Sequence, residues 1–286
     1  MARIVAKIGN EHVGSESRMT AMGSATGARR APAAPGGLDR ATFLRPIAHR
    51  GLHDRRRGRI ENTAPAFAAA IDKGYGIECD LQAAADGTPM VFHDERLGRL
   101  VRATGTIASH APASLAQLRY KHSDTPILRF AELLDLVDGR VPLLVEVKVK
   151  ASAPPNGFLD KIARRARAYK GPVALMSFNG DVVAEFGRLA PTVPRGLVVG
   201  SHKLPPSWWT APSAANRSRI LSSRLGAAPA GLAFFAIDVR MLRHARAWMS
   251  AHRPELALFS WTIRTARERR AAALWADAPI FEGYEA

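Results

Sequence analysis

Short apolar runs alternate with amphipathic segments along most of the chain, and this alternation limits the folds it can adopt. Runs such as VPLLVEVKV, PVALMSF and ELALFSWTI are rich in Val, Leu and aromatic residues, which favours strands. Segments such as RFAELLDLVDG and NGFLDKIARRARAYKG have the apolar spacing of helices, and a glycine ends each of them. Repeated strand-helix units predict a mostly parallel sheet that is covered by helices.

About eight such units over roughly 250 residues match a closed (β/α)8 barrel, also called a TIM barrel. A doubly wound open sheet is the alternative, but no glycine-rich dinucleotide motif follows the first predicted strand, RPIAH. We therefore predict an α/β fold with a single barrel domain over residues 41–286. Residues 1–40 are rich in Gly, Ala, Ser and Pro, which predicts a disordered basic leader.

The 286-residue chain is strongly basic, with 41 Lys and Arg residues against 25 Asp and Glu. This charge favours anionic partners, whether nucleic acid, lipid headgroups or phosphorylated small molecules. No nucleic-acid-binding signature accompanies it, so a non-enzymatic nucleic-acid-binding protein is a remote alternative. The single cysteine, Cys79, excludes an intrachain disulfide, and no apolar run approaches the roughly 20 residues of a membrane helix. Without a secretory signal, we expect a cytoplasmic protein.

Ionisable residues lie at four successive predicted strands, at the ends where a (β/α)8 barrel carries its chemistry. Taken alone, each pair is more readily a structural salt bridge or a strand end followed by a turn than a functional site. Their coincidence at successive strands favours a functional site. In chain order the pairs are His49-Arg50, Glu78 with Asp80, His93-Asp94, and Glu146 with Lys148.

Three carboxylates in this set predict a cation site. Glu78 and Asp80 point to one face of their strand because strand side chains alternate, and Glu146 shares a face with Lys148 in the same way. Burying carboxylates is costly unless a cation compensates their charge. Oxygen ligands suit Ca²⁺ or Mg²⁺, and the lack of thiolate ligands argues against structural zinc. Cys79 alternates away from the carboxylates and is predicted to be a packing residue.

Together the motifs resemble the glycerophosphodiester phosphodiesterase family. The segments LGRLVRATGTI, TPIL, MSFN and SWTI are similar to later parts of the family pattern, whereas the closing DAPIFEGYE matches it only loosely. The resemblance runs from Pro46 to the C-terminus and implies a barrel of the phospholipase C-like phosphodiesterase type. The ordered family motifs stand here as HRG 49–51, ENT 61–63, ECD 78–80, DG 86–87, HD 93–94 and EVK 146–148.

The resemblance implies metal-dependent hydrolysis of glycerophosphodiesters to glycerol 3-phosphate and an alcohol. A lysophospholipase D or sphingomyelinase D-like enzyme is the alternative, in which the apolar PPSWWTAP segment would contact an acyl chain or, transiently, an anionic membrane. No obligate protein partner is evident. On the matching positions, His49 and His93 would be the acid-base pair, Arg50 and Lys148 would contact phosphate, and Glu78, Asp80 and Glu146 would bind Ca²⁺ or Mg²⁺.

The residues also suggest a chemical route and two local roles. We hypothesise that the neighbouring hydroxyl of the glycerol moiety attacks the phosphorus, which gives a cyclic phosphate. Glu61-Asn62-Thr63 is predicted to cap the helix in NTAPAFAAAIDKG. The arginines of the preceding loop, LHDRRRGRI, are expected either to attract an anionic substrate or to be merely solvated.

Overall fold

The computed structural model describes residues 36–149, 157–200 and 213–286. The predicted leader up to residue 35 and the PPSWWTAP segment lie outside these ranges. The strands are β1 (Ile47–His49), β2 (Gly76–Ala83), β3 (Pro89–Val91), β4 (Leu143–Val147), β5 (Val173–Ser177), β6 (Arg195–Val199), β7 (Phe234–Asp238), β8 (Ala257–Ile263) and β9 (Ala278–Phe281). The described helices are α1 (Arg40–Phe43), α2 (Ala64–Asp72), α3 (Pro112–Gln117), α4 (Phe130–Val137), α5 (Phe158–Ala168), α6 (Gly180–Leu189), α7 (Ala214–Gly226), α8 (Leu242–His252) and α9 (Ala266–Trp275).

Eight of these strands form a closed parallel barrel. Strand β1 pairs in parallel with both β2 and β9, so the sheet has no open edge there. The (β/α)8 barrel predicted from the alternation is therefore confirmed, and the open-sheet alternative is wrong. None of the described helices is long and apolar enough to cross a bilayer.

Strand β3 departs from the predicted succession of barrel strands. It runs antiparallel to the far end of β2, with Val91 opposite Leu81 and Pro89 opposite Ala83. The connection between the two strands is too short for a parallel crossover, which needs a dozen or more residues. Gly87 adopts a φ of 77° in this turn, a conformation that glycine reaches without strain. The chain therefore returns to the barrel mouth through a hairpin, and β2 pairs directly with β4.

Side-chain alternation along the strands divides the core into two layers. Along β4, Leu143 and Val145 pack in the layer that also contains residues of the helices, whereas Leu144 packs with side chains inside the barrel. Cys79 on β2 lies in the outer layer and is fully buried, so its predicted packing role is confirmed. On β4 the inner face is apolar at Leu144 and carries Glu146 one step nearer the mouth, because alternate side chains share a face.

Candidate functional site

The three carboxylates predicted to bind a cation converge at the mouth of the barrel. Asp80 on β2 is the pairing partner of Glu146 on β4, and Glu78 precedes Asp80 on the same face. One oxygen from each of the three residues lies within 4.8 Å of the other two. All three residues are buried, and Glu78 and Asp80 are each only 1% exposed. The arrangement places ligand atoms from two adjacent strands around one small volume.

Two cations border this carboxylate cluster. The Lys148 ammonium lies 2.6 Å from Glu146 Oε1 and 3.0 Å from Asp80 Oδ1. The Arg50 guanidinium lies 3.3 Å from Asp80 Oδ2, and the Arg50 backbone N–H donates to Glu78 Oε2 at 3.0 Å. Arg50 takes a φ of 55°, which lets its backbone and its side chain face the cluster together. Within the described part of the chain, three buried carboxyl groups therefore face two cationic side chains.

The uncompensated charge falls mainly on Glu78. Burial raises the pKa of the Glu78 carboxyl well above its usual range, and the charges of Asp80 and Glu146 raise it further. Burial alone would also raise the pKa of Asp80, but Lys148 and Arg50 hold it below its usual range. Glu78 Oε1 is buried and has no hydrogen-bond partner among the residues that the structure describes. An unpartnered carboxylate oxygen beside two further carboxylates is the donor set that a hard divalent cation fits.

His49, at the C-terminal end of β1, is held against the same cluster. Its Nδ1 lies 2.8 Å from Glu282 Oε2, and its Nε2 lies 3.8 Å from Glu78 Oε2. The Glu282 carboxylate accepts a hydrogen bond from Nδ1–H of His49. The neutral ring therefore leaves Nε2 as an acceptor that faces the carboxylates. Burial lowers the pKa of His49 to about 4 against the opposing effect of Glu282, so the ring is neutral at pH 7.

Glu282 was not among the residues selected from the sequence. It follows β9, which pairs with β1 and thereby brings it to the His49 ring. Arg264 Nη2 donates to Glu282 Oε2 at 2.9 Å. Burial would raise the pKa of Glu282, but His49 and Arg264 lower it to about 2. A carboxylate just after the last strand of a closed barrel, next to the first strand, was the signal that could have identified it.

His93 approaches the site from the β3 side of the mouth. Its Nδ1 lies 2.7 Å from Asp94 Oδ1, and Gln82 Nε2 donates to its backbone carbonyl at 2.9 Å. Phe92 N–H donates to the Asp80 carbonyl at 3.0 Å, which anchors the segment beside β2. Since Phe92 is hydrogen-bonded to Asp80 and the His93 carbonyl to Gln82, His93 lies beside the C-terminal half of β2. The expectation that His93 ends a parallel barrel strand was wrong, because β3 is a hairpin strand.

The Glu61-Asn62-Thr63 motif leads into α2 and places two of its side chains in the site. Asn62 Nδ2 donates to Asp80 Oδ2 at 2.9 Å, and Glu61 Oε1 accepts from Arg50 Nη1 at 2.7 Å. Thr63 occupies the N-cap position, but its hydroxyl donates to the Ile60 carbonyl. The predicted start of α2 is therefore confirmed at Thr63, but the capping hydrogen bond expected from residue type is absent, because the Thr63 hydroxyl is hydrogen-bonded to Ile60.

The arginine-rich loop between β1 and α2 folds as a tight turn on its own. Residues Arg55–Arg57 form a short 3-10 helix after Asp54, and their side chains are exposed. Arg57 Nε lies 3.5 Å from Asp54 Oδ2. Attraction of an anionic substrate by these arginines stays a prediction.

Comparison with known proteins yields one consistent family. A sequence model of the Glycerophosphoryl diester phosphodiesterase family matches residues 49–281, the span that holds both histidines and the carboxylate cluster. A Mycobacterium tuberculosis protein named "Probable glycerophosphodiester phosphodiesterase 1" is 29% identical over 175 residues, which cover 53% of this chain and 63% of that protein. The chain thus spans less than two thirds of the length of this relative. A glycerophosphodiester phosphodiesterase of Bacillus subtilis is 24% identical over 264 residues, which cover 83% of each chain.

Solved structures agree with the barrel architecture. A phosphodiesterase from Oleispira antarctica, solved in complex with the product sn-glycerol-3-phosphate, superposes with a TM-score of 0.64 at 21% identity. The superposition covers 85% of this chain and 94% of that chain. At this level of identity the likeness establishes the shared fold.

Proposed function

Because the chain belongs to the glycerophosphoryl diester phosphodiesterase family, we propose that it hydrolyses glycerophosphodiesters to glycerol 3-phosphate and an alcohol. The observation that carries this proposal is the convergence of three buried carboxylates at the barrel mouth, bordered by two cations and by a neutral histidine. A phosphodiester is itself anionic, so its hydrolysis needs charge neutralisation and groups that move protons. The site offers both.

Glu78, Asp80 and Glu146 would hold the divalent cation, Ca²⁺ or Mg²⁺, that their donor set fits. When bound, such an ion supplies Lewis-acid polarisation of a phosphoryl oxygen. Arg50 and Lys148 would contact the remaining phosphate oxygens, the first through a planar donor fork and the second as a point charge. Their pairing with Asp80 fixes both cations at the rim of the carboxylate cluster.

The two histidines would move the protons. In the first step His49 Nε2 takes the proton of the glycerol hydroxyl, whose oxygen bonds to phosphorus. The bond from phosphorus to the alcohol breaks, and His93, which enters this step protonated on both ring nitrogens, donates its Nε2 proton to the leaving oxygen. Water then opens the cyclic phosphate with the two roles reversed. The Nδ1 contact with Glu282 supports His49 as the first acceptor, because the carboxylate stabilises the imidazolium that forms.

A small substrate panel tests the function. We expect release of glycerol 3-phosphate and choline from glycerophosphocholine, and no turnover of the analogue that lacks the 2-hydroxyl of glycerol, because that oxygen is the proposed nucleophile. Product release is measured by coupled assay and phosphorus NMR. Turnover of the analogue would reject the cyclic intermediate alone. Preference for lysophosphatidylcholine would support the lipid phosphodiesterase alternative, and failure on all diesters would reject the function.

Replacement of Glu282 by glutamine is expected to lower kcat by about 10- to 100-fold, the rate equivalent of one hydrogen bond to a charged group. The amide still fits the space, but it no longer stabilises a protonated His49. KM should change little because Glu282 faces the ring and not the cation cluster. Steady-state kinetics measure both constants. Glu285→Gln is the matched control, since Glu285 pairs with Lys73 on the surface, and equal kinetics of the two variants would contradict the role of Glu282.

A further inference from the structure

We propose that Arg99 is a positioning residue that fixes Arg50 and His93 relative to each other through two carboxylates. The inference rests on the proposed function and concerns a residue that would not itself touch the reacting atoms. Arg99 ends a short 3-10 helix, Leu97–Arg99, in the long excursion between β3 and α4.

One half of the contact leads to Arg50. Arg99 Nη1 donates to Glu61 Oε2 at 2.9 Å, and Arg99 Nη2 donates to Glu61 Oε1 at 2.7 Å. The same Glu61 Oε1 accepts from Arg50 Nη1 at 2.7 Å. Glu61 is therefore held between two guanidinium groups, and its orientation determines where the Arg50 fork lies beside Asp80. Arg99 thus acts on the candidate phosphate-binding group through one intervening carboxylate.

The other half of the contact leads to His93. Arg99 Nε donates to Asp94 Oδ2, and Arg99 Nη2 donates to Asp94 Oδ1 at 3.1 Å. Asp94 Oδ1 also lies 2.7 Å from His93 Nδ1. With the Asp94 carboxylate fixed, the ring donates from Nδ1 and keeps Nε2 as the atom available for proton transfer. Arg99 therefore acts on the second histidine through the second carboxylate.

Only an arginine side chain can make both contacts at once. Its planar guanidinium presents five N–H donors in a fixed geometry, so one group can span two carboxylates. Arg99 itself is 41% exposed, but the side chains of Glu61 and Asp94 are only 11% and 22% exposed. Exposed ion pairs contribute little to stability. In contrast, each partner of Arg99 makes a further contact with a group of the site, so a displacement there changes the chemistry.

The backbone around Arg99 is anchored in a way that suits this role. Leu97 is fully buried, and its N–H donates to the Gly105 carbonyl at 3.2 Å. Lys121 donates its backbone N–H to the Leu100 carbonyl at 2.8 Å and its ammonium to the Gly98 carbonyl. The segment thus holds the backbone of Arg99 from both sides.

Chemical rescue tests the inference. We expect Arg99→Ala to lower kcat by about 10- to 100-fold. This is the usual effect of removing a residue that orients the groups of a site without touching the substrate. We also expect KM to rise, because Arg50 and His93 are both affected. Guanidinium at tens of millimolar should restore activity, since the vacated position is open to solvent, whereas equal NaCl should not. Arg99→Lys keeps the charge but cannot span both carboxylates, so it should recover little.

The control is Arg188→Ala, which removes a comparable arginine-carboxylate pair with Glu185 on α6, and neither its loss nor guanidinium should change the kinetics. An Arg99→Ala variant with kcat and KM within twofold of wild type would overturn the inference, and so would equal rescue by NaCl. If Arg99→Ala does not fold, the lysine variant decides, and wild-type kinetics in it overturn the proposal.

A measurement without substrate separates this inference from the proposed function. In ¹⁵N-histidine NMR spectra we expect the neutral form of His93 to carry its proton on Nδ1 in the wild type and to populate both tautomers in Arg99→Ala. Guanidinium should restore the single tautomer. If the wild type hydrolyses no diester, the proposed function fails while the NMR result still decides the role of Arg99. An unchanged His93 spectrum in the variant overturns that role even in an active enzyme.

Discussion

Replacement of His49 by glutamine is expected to lower kcat on glycerophosphocholine by about 10²- to 10⁴-fold, the usual contribution of one positioned proton-transfer group. Glutamine keeps a polar side chain of similar size next to Glu282, so the loss is chemical. Its amide nitrogen cannot take up a proton at neutral pH, whereas the neutral His49 ring, with Nδ1 fixed by Glu282, can. Binding should change less than turnover because Arg50 and Lys148 remain in place.

His252→Gln is the matched control for this experiment. His252 stacks on Trp248 at the end of α8, and its Nδ1 contacts the Trp248 carbonyl, so its loss should leave kcat within twofold. Circular dichroism and thermal unfolding of both variants establish that the fold is intact. Retention of more than a tenth of the wild-type kcat by a folded His49→Gln would place the proton acceptor elsewhere.

Removal of divalent metal is expected to reduce hydrolysis to background, and added Mg²⁺ or Ca²⁺ should restore it. The wild type should also gain thermal stability from the ion, because a ligand at 100 times its dissociation constant stabilises by about 2.7 kcal/mol. For a domain of this size that corresponds to a Tm increase of about 5–10 °C. Calorimetry with and without chelator measures the shift independently of activity.

Glu78→Gln is expected to be neutral or stabilising in the metal-free protein and to remove most of the stabilisation that metal provides. Glu78 is buried among like charges with one oxygen unpartnered, so removing its charge should leave the free energy of unfolding unchanged or increase it without metal. With metal the variant should gain little, since a ligand is lost. Glu185→Gln, a change on the surface of α6, should retain the full gain. A Glu78→Gln variant that gains as much from metal as the wild type would exclude Glu78 as a ligand.

Local sequence features were sufficient for most of the fold. The apolar runs VPLLVEVKV, PVALMSF and ELALFSWTI coincide with β4, β5 and β8, because each pattern reflects burial of its own element. The exception is β3, where residue propensity predicts a strand but not that the strand runs antiparallel to β2. Direction depends on the length of the connection between strands, and the five residues from 84 to 88 permit only a hairpin.

The carboxylates were also accessible from sequence. Strand periodicity alone places Glu78 and Asp80 on one face. Their position near the C-terminal end of a barrel strand, where such barrels carry their active sites, then indicates a functional site. Residue type predicts that the Glu61-Asn62-Thr63 motif caps the next helix, and Thr63 does occupy the N-cap, but Glu61 and Asn62 have distant partners that residue type does not indicate. Their actual partners, Arg50, Arg99 and Asp80, lie across the mouth.

The amino-acid sequence by itself determined the barrel, the acidic face of β2 and the position of the two histidines after β1 and β3. These features depend on periodicity and on order along the chain. Only the tertiary structure decided that Glu282 contacts His49, 233 positions away, and that Arg99 joins Glu61 to Asp94. The first contact exists because the barrel closes between β9 and β1, and the second because the segment after β3 packs beside the barrel mouth. Hydrogen bonds act over about 3 Å, so they depend on which segments closure brings together, and no local pattern contains that information.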